Sequence, residues 1–247
     1  FVKCVSLKGF AKEQIIVQNA LKELQLGISG MLSVKQEIIF DNQTEVGLQI
    51  IKKDTIPAEG YAIDEKDGLL SLLASDEKGM LYGVFAILRR ISMEKPLKGI
   101  RITEQPDNPF RMYNHWDNMN GSIERGYSGK SFFFENEEVV VNERTKDYCR
   151  LVASVGINAV VINNVNVVGP ATYLITDRYM DKVKEMADLF AGYGIKLFLS
   201  LNFAAAIELG GPDSADPLDP EVIKWWEKKI AEVYVKKHRV TYNGLWN

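Results

Sequence analysis

The sequence has few of the residues that mark metal-organised or disulfide-rich proteins. Only two of its 247 residues are cysteines and two are histidines. Cys4 and Cys149 lie far apart and form no C-x-x-C pair, so we expect neither a disulfide framework nor a metal site. No apolar run approaches the roughly 18 residues of a membrane-spanning helix. We therefore expect no membrane partner and no metal.

A strong excess of either charge is also missing. The formal net charge is −3 with 26% charged residues, and the basic residues are dispersed along the chain. This pattern predicts no nucleic-acid partner. The chain opens on Phe1 without a charged-then-apolar leader, so we expect a soluble chain from which an upstream part was removed. The compartment stays open between the cytoplasm and the periplasm or exterior.

Hydrophobic periodicity predicts an α+β domain over residues 1–105. Apolar residues at helical spacing predict helices over 11–26, ending at Gly27, and over 77–91. Short apolar or alternating runs between turn residues predict a small sheet, with strands over 37–40, 46–51, 61–63 and 69–74. A proline-bearing linker over 95–109 follows.

From residue 106 to 247 the pattern changes to repeated strand, loop and helix. Strands are predicted over 110–114, 159–162 and 195–201, and helices over 145–155, 176–191 and 219–233. Thr176 and Asp219 are the predicted helix caps. The inward faces are predicted to carry Tyr148, Leu151, Val152 and Val155 on one helix and Tyr179, Val183, Met186 and Phe190 on the next.

The segment 110–134 is the candidate binding element. It is too polar for a core strand and too aromatic for a linker. Trp116 offers an apolar ring to the C–H face of a sugar or another flat ligand. Hydrogen bonds to hydroxyls or a carboxylate are expected from Asp117, Asn118, Asn120, Glu124 and Arg125.

The predicted strand ends add further candidates, because the residues after parallel strands gather at one face. They are His115, Trp116, Asp117 and Asn118 after the first strand, Asn163, Asn164, Val165 and Asn166 after the second, and Asn202, Phe203 and Glu208 after the third. The asparagines describe a site of neutral donors and acceptors, suited to hydroxyl groups. His115 and His238 are lone histidines for which we expect structural roles.

The run H-W-D-N-M-N-G-S-I-E-R-G-Y-S-G-K-S resembles the signature near the start of the catalytic barrel in family 67 α-glucuronidases. L-V-A-S-V-G-I-N-A-V-V-I-N-N-V-N-V and G-I-K-L-F-L-S-L-N-F-A-A-A-I-E-L-G-G are similar to the same family, and the likeness covers about 59–233. The resemblance implies an α/β protein: a non-catalytic domain like that preceding the barrel in β-hexosaminidases, then the first βα units of a (β/α)8 barrel, apparently truncated.

The resemblance also implies roles for particular residues. Trp116 would stack on the uronic acid, and Val165 or Val167 would meet its 4-O-methyl group. Glu124 with Arg125 would either bond the sugar or brace the loop. The implied substrates are aldouronic acids derived from glucuronoxylan, no cofactor is implied, and a homodimer of the full-length enzyme is allowed.

The same resemblance places the catalytic groups elsewhere. Such enzymes resemble inverting glycosidases, which use a carboxylic acid and a carboxylate base. In the family these lie on later barrel strands, whereas three βα units end here near residue 233 and no likeness continues after Val235. Nothing in the spacing of Asp117, Glu124 and Glu208 supports them as a substitute pair. We therefore expect the acid and base beyond this chain.

Three functions remain open at this point. The first is an α-1,2-glucuronidase acting on xylan-derived oligosaccharides, of which this chain is an inactive part. The second is a catalytically inactive module that binds uronic acid or xylooligosaccharides. The third is another barrel glycosidase with the same front domain, such as a hexosaminidase.

Overall fold

The computed structural model describes residues 4–33, 39–40, 47–163, 167–236 and 240–242. The chain divides into two compact units. Unit 1 contains residues 1–109 with the short segments 153–156 and 192–194, and unit 2 contains the other residues from 110 onwards.

Unit 1 is a mixed sheet with two helices. Its elements are β1 (Cys4–Lys8), α1 (Ile15–Leu32), β2 (Ile39–Phe40), β3 (Leu48–Lys52), β4 (Tyr61–Lys66), β5 (Leu69–Ala74), α2 (Glu77–Ser92) and β6 (Arg101–Glu104). The strand order is β2-β1-β3-β5-β4-β6, in which β4 is antiparallel to both of its neighbours. Burial alternates along β5, as expected for a strand with one covered face.

Local chemistry explains several boundaries in unit 1. Asp67 and Gly68 adopt positive φ angles of 53° and 87° in the tight turn between β4 and β5. The Asp76 carboxylate accepts a hydrogen bond of 2.8 Å from the Gly79 N–H and so caps α2. The predicted α2 and the described parts of the four predicted strands are confirmed. Residues 37–38 and 46 of those strands lie outside the described residues.

Three expectations for unit 1 were wrong or incomplete. Helix α1 does not end at Gly27 but continues to Leu32, because this glycine serves close packing: an added Cβ would lie 2.6 Å from Leu88 Cδ2 on α2. The predicted linker contains β6, which pairs with β4 through its backbone. Strand β1 was missed, since four successive residues of it are buried and the sequence shows no alternation there.

Unit 2 contains a parallel sheet and a short hairpin. Its elements are β7 (Met112–Asn114), β8 (Phe134–Glu135), β9 (Glu138–Val139), α3 (Glu143–Ser154), β10 (Ala159–Val161), a 3-10 helix (Gly169–Ile175), α4 (Met180–Ala191), β11 (Lys196–Leu199), α5 (Ala205–Glu208), α6 (Pro220–Lys236) and β12 (Val240–Tyr242). The parallel order is β12-β11-β10-β7, and β8 pairs with β9. All of β10 is buried.

The sequence predicted three strands of the parallel sheet, and the structure adds a fourth parallel strand and the short β8-β9 hairpin. Leu197 on β11 pairs with Val240 on β12, so the segment without family likeness nevertheless forms a parallel strand. Asp219 caps α6 as expected, because its Oδ1 accepts the Glu221 N–H at 2.9 Å. The inward face predicted for α4 is also confirmed: its four residues are each at most 1% exposed.

Two helix predictions in unit 2 were wrong. Leu151 and Val155 are 62% and 57% exposed, because the buried stripe of α3 runs through Tyr148, Cys149 and Val152 instead. Thr176 is not the cap of α4. It ends the preceding 3-10 helix, and α4 begins four residues later at Met180.

Candidate functional site

The candidate site lies where β7, β10 and β11 end. Asn114 pairs with Val161, and Val161 pairs with Phe198, so the carboxyl ends of three adjacent parallel strands meet at one edge. Directly after β7, the backbone of Trp116 forms an antiparallel bridge to Asn163, which follows β10. The Trp116 side chain remains 42% exposed. A large aromatic surface is therefore open to solvent at this edge of the sheet.

The loop after Trp116 is a compact hairpin held by its own hydrogen bonds. We call residues 116–131 the signature hairpin. The Asn118 amide donates to Ser122 Oγ at 2.9 Å and to the Glu124 carbonyl at 2.8 Å. The Glu124 N–H donates to the Trp116 carbonyl at 2.8 Å. Asn118 therefore braces the hairpin.

Glu124 and Arg125 lie at the turn of the signature hairpin. Glu124 has a positive φ of 53°, and its carboxylate accepts a hydrogen bond from the Tyr127 hydroxyl. Glu124 is half-buried, whereas Arg125 and Asn120 are exposed. The Asn120 Oδ1 accepts from the Ser122 N–H at 2.9 Å. This geometry gives Glu124 a part in bracing the loop and leaves Arg125 facing solvent.

Asp117 points away from solvent, opposite to its neighbour Trp116. It is 1% exposed, and neither carboxylate oxygen has a hydrogen bond of normal geometry. Burial raises the pKa of Asp117 to about 6, while the nearby Ser131 hydroxyl, Phe132 N–H and Arg144 charge act in the opposite direction. The sequence predicted that Asp117 contacts a ligand, but this side chain is buried in the structure. Its contact with a ligand stays a prediction.

His115 lies beside this carboxyl group. Its Nδ1 is 3.7 Å from Asp117 Oδ1, and its Nε2 is 2.5 Å from the Tyr148 hydroxyl. The imidazole packs edge-on against Phe133 and Tyr148, with ring centroids 5.1 and 5.3 Å away. Burial among these rings lowers the pKa of His115 to about 4, so the imidazole is neutral at pH 7. The expected structural role of His115 agrees with this packing.

Asn163 joins two strand ends. Its Nδ2 donates to the Ser200 carbonyl at 3.1 Å, and its Oδ1 accepts from the Ser200 N–H at 2.9 Å. The side chain is 1% exposed. Asn163 thus ties the end of β10 to the end of β11, and its direct contact with a ligand stays a prediction.

Asn202 belongs to a second polar cluster after β11. Its Nδ2 donates to Thr172 Oγ1 at 3.0 Å and to Glu208 Oε1 at 2.8 Å. Thr172 Oγ1 in turn donates to Glu208 Oε2 at 2.7 Å. Both oxygens of the Glu208 carboxylate are therefore engaged. Next to Glu208 is an open cavity of about 530 Å³, whose lining includes Tyr173, Arg178 and Lys229.

Several predicted positions lie outside the described residues: Asn164, Val165, Asn166 and His238. Val167 is half-buried and Phe203 is 76% exposed. The sequence analysis missed Thr172, Ser131 and Arg144, which contact the predicted residues. Thr172 follows a predicted strand, and Ser131 ends the quoted motif, so both positions carried a signal in the sequence. Arg144 carried none, because it acts through a contact 13 positions away.

The described part of the chain shows neither a metal cluster nor a membrane-spanning helix. It contains no group of three or more His, Cys, Asp or Glu side chains arranged to hold a metal ion. None of its helices has the length and apolar character required to cross a bilayer. Cys4 and Cys149, both among the described residues, are buried and are not joined in a disulfide.

Comparison with known proteins places the chain in a family. The family model described as "Glycosyl hydrolase family 67 middle domain" matches residues 90–238, which is more than half of the chain. The chain belongs to glycosyl hydrolase family 67. The resemblance seen in the signature hairpin is thereby confirmed.

Curated family 67 relatives carry the name alpha-glucuronidase. The chain is 35% identical over 234 residues to "Probable alpha-glucuronidase A" of Aspergillus terreus, covering 88% of this chain and 27% of the relative. It is 34% identical over 255 residues to "Alpha-glucuronidase" of Hypocrea jecorina, covering 90% and 30%. The chain therefore spans less than a third of the length of these relatives.

Solved structures share the fold of this family 67 chain at low sequence identity. A Streptomyces plicatus beta-hexosaminidase matches with a TM-score of 0.65 and 14% identity, covering 96% of this chain and 53% of that one. A family GH115 4-O-methyl-alpha-glucuronidase matches with a TM-score of 0.61 and 16% identity, covering 98% and 37%. These similarities concern the fold alone.

Proposed function

We propose that this chain supplies the uronic-acid-binding region of an α-glucuronidase. The reaction is hydrolysis, with inversion, of the α-1,2 link between (4-O-methyl)glucuronic acid and xylooligosaccharides. Aldouronic acids are the proposed substrates, and no cofactor is required. The observation that carries the proposal is the exposed Trp116 indole at the carboxyl edge of a parallel sheet, in a chain of family 67.

The parallel sheet of unit 2 is proposed to be part of a (β/α)8 barrel. Strands β7, β10, β11 and β12 follow one another in sequence and in space, with helices between them. In such barrels the ligand binds at the carboxyl ends of the strands. Trp116, Asn163 and Asn202 all follow strand ends, so this edge is the proposed binding face.

The catalytic acid and base are proposed to lie outside the described residues. Asp117 is buried, and both oxygens of Glu208 are bound by Thr172 and Asn202. Glu124 accepts a hydrogen bond from Tyr127 at the hairpin turn. An inverting mechanism needs an acid and a base that both reach the glycosidic centre. These contacts support an acid and a base other than these three carboxylates.

A titration of the full 247-residue chain with an aldouronic acid tests the binding role. Trp116→Ala should weaken binding on the order of tenfold or more, because a stacked aromatic anchor contributes more than about 1.4 kcal/mol. Trp116→Phe should retain most of the affinity, since it keeps a ring. Equal affinity of the wild type and Trp116→Ala would contradict the proposal.

A parallel assay for released uronic acid distinguishes this proposal from its alternative, an inactive uronic-acid-binding or xylooligosaccharide-binding module. The engaged carboxylates favour binding without turnover by this chain. Turnover that a boiled sample lacks would show that the acid and base are present here. Hydrolysis of N-acetylhexosaminides would instead support a hexosaminidase.

A further inference from the structure

The proposed function assigns no role to the buried carboxyl group of Asp117. Its side chain has no solvent exposure, and neither oxygen has a hydrogen bond of normal geometry, although the Ser131 hydroxyl and the Phe132 N–H are nearby. A buried carboxylate without hydrogen bonds is costly, so such a group persists where it serves a purpose. Trp116 precedes it on an extended segment, whose successive side chains point to opposite sides. The orientation of the carboxyl group and that of the indole are therefore linked through the backbone.

Single β-bridges join three short segments of the signature hairpin into a small ladder, and Asp117 lies in the first row. Asp117 bridges to Ile123, and Ser122 bridges to Lys130. The Ser131 N–H donates to the Gly121 carbonyl at 2.9 Å, which closes the third row. A change at Asp117 therefore acts on the same ladder that presents Trp116.

The far end of the ladder is fixed by α3. The Arg144 guanidinium donates to the Ser131 carbonyl at 2.6 Å and to the Lys130 carbonyl at 3.1 Å. It also lies over the Phe132 ring, 4.0 Å from the centroid. Ser131 Oγ accepts the N–H groups of Phe133 and Phe134 at 2.9 and 3.0 Å, so its own hydrogen is free to donate.

We propose that Asp117 is a positioning residue whose carboxyl group sets how the signature hairpin presents Trp116, and that gain or loss of its proton changes this presentation. The ionised carboxylate can only accept hydrogen bonds and attracts donors, which here include the Ser131 hydroxyl and the Phe132 N–H. The protonated group is neutral and has no such demand. Titration therefore moves the third row of the ladder relative to Trp116.

The titratable and charged groups that face Asp117 come from two elements. His115 approaches from the end of β7, and Arg144 and Tyr148 approach from α3. Burial raises the pKa of Tyr148 far above neutrality and lowers the pKa of His115 to about 4. Between pH 5 and 7 the Asp117 carboxyl is therefore the group of this cluster that changes charge, with a midpoint near 6.

The test measures acrylamide quenching of Trp116 fluorescence from pH 4.5 to 7.5, with the Trp116→Phe spectrum subtracted. Quenching of the wild type should change with a midpoint near pH 6, and Asp117→Asn should abolish this change. Asp147→Asn is the matched control, because the Asp147 side chain is 65% exposed on α3, and it should leave the midpoint in place. A pH-independent wild type, or the same midpoint in Asp117→Asn, would overturn the proposal.

A wild-type measurement keeps the test decisive if Asp117→Asn does not fold. The ¹³C resonance of the Asp117 carboxyl and the indole N–H resonance of Trp116 should titrate with one shared midpoint, and separate midpoints would refute the link. Only the ligand arm rests on the proposed function: glucuronate affinity should follow the same pH profile. If the two resonances share a midpoint but glucuronate does not bind, the proposed function is wrong and the positioning role of Asp117 is still supported.

Discussion

The two units bury different chemistry, although both combine a sheet with helices. Among the described residues, the buried polar side chains of unit 1 are Ser6 and Glu23. Those of unit 2 are Asp117, Ser131, Thr145, Asn158, Asn163, Thr172 and Asn202. Burying polar groups is unfavourable unless they are hydrogen-bonded, so their concentration needs a reason. Most of those in unit 2 bind backbone groups of loops and strand ends.

This difference shows that the two units are stabilised by different interactions. In unit 1 the alternation of buried and half-buried residues along β5 needs only apolar contact on one face. In unit 2 the Asn163 amide and the Thr145 hydroxyl each satisfy backbone atoms beyond their own element. Polar networks of this kind select one loop conformation. In unit 2, buried polar groups therefore fix the conformation of the proposed binding face.

The largest expected effect is a core truncation in unit 1. Leu72→Ala should lower the free energy of unfolding by about 2–5 kcal/mol, because Leu72 is fully buried against Gly83. Urea unfolding measures the loss. Leu151→Ala is the matched control in unit 2, and its effect should stay within about 0.5 kcal/mol, since Leu151 is 62% exposed. Equal losses would break the comparison between covered and uncovered leucines.

A second prediction concerns the buried Asp117 and His115 pair. The raised pKa of Asp117 gives stability that is lost as pH rises from about 4 to 6, whereas the lowered pKa of His115 gives stability that is lost as pH falls from 6.5 to about 4. These contributions oppose each other in the wild type. Asp117→Asn should therefore become more stable with rising pH over this range, and His115→Asn less stable.

The size of this effect follows from the shift of Asp117. A rise from 3.8 to about 6 corresponds to about 3 kcal/mol at neutral pH, which Asp117→Asn should relieve. Urea unfolding at pH 4.5 and pH 7 measures both slopes. Identical pH dependence in the two variants would show that the pair does not titrate inside the fold.

A third, smaller effect is expected at Asn163, which ties the end of β10 to the end of β11. Asn163→Ala leaves the half-buried Ser200 backbone without both of its side-chain partners and should cost about 1–3 kcal/mol. Gln49→Ala in unit 1 is the counterpart, because it removes a half-buried side-chain bond to Ser71 and should cost less. A greater loss for Gln49→Ala would reverse the proposed division between the units.

The smallest effect is expected at the surface of α4. Lys184 and Asp188 form an exposed ion pair of 2.6 Å at helical spacing. Lys184→Ala should change the free energy of unfolding by less than about 0.5 kcal/mol, and added salt should reduce even that difference. A loss above 1 kcal/mol would show that this face carries more stability than its exposure implies.

Long-range packing explains why some of the fold could be predicted from sequence and some could not. The buried face of α4 and the Asp219 cap follow from local spacing, so the predictions succeeded. The sequence cannot distinguish Gly27 from a glycine that ends a helix. Its missing side chain instead makes room for Leu88, sixty-one positions later. Strand β6 is too short to stand out in a linker without its partner β4.

The sequence by itself determined the family, the longer helices and most strands of the two main sheets, and the segment in which the proposed site lies, because periodicity and a dense motif are local properties. Only the tertiary structure decided which residues of that motif face solvent. Trp116 and Asp117 are adjacent and equally eligible as ligand contacts in the sequence, yet one is 42% exposed and the other 1%. Asp117 faces His115 and the charge of Arg144, and Arg144 lies on α3, outside the motif.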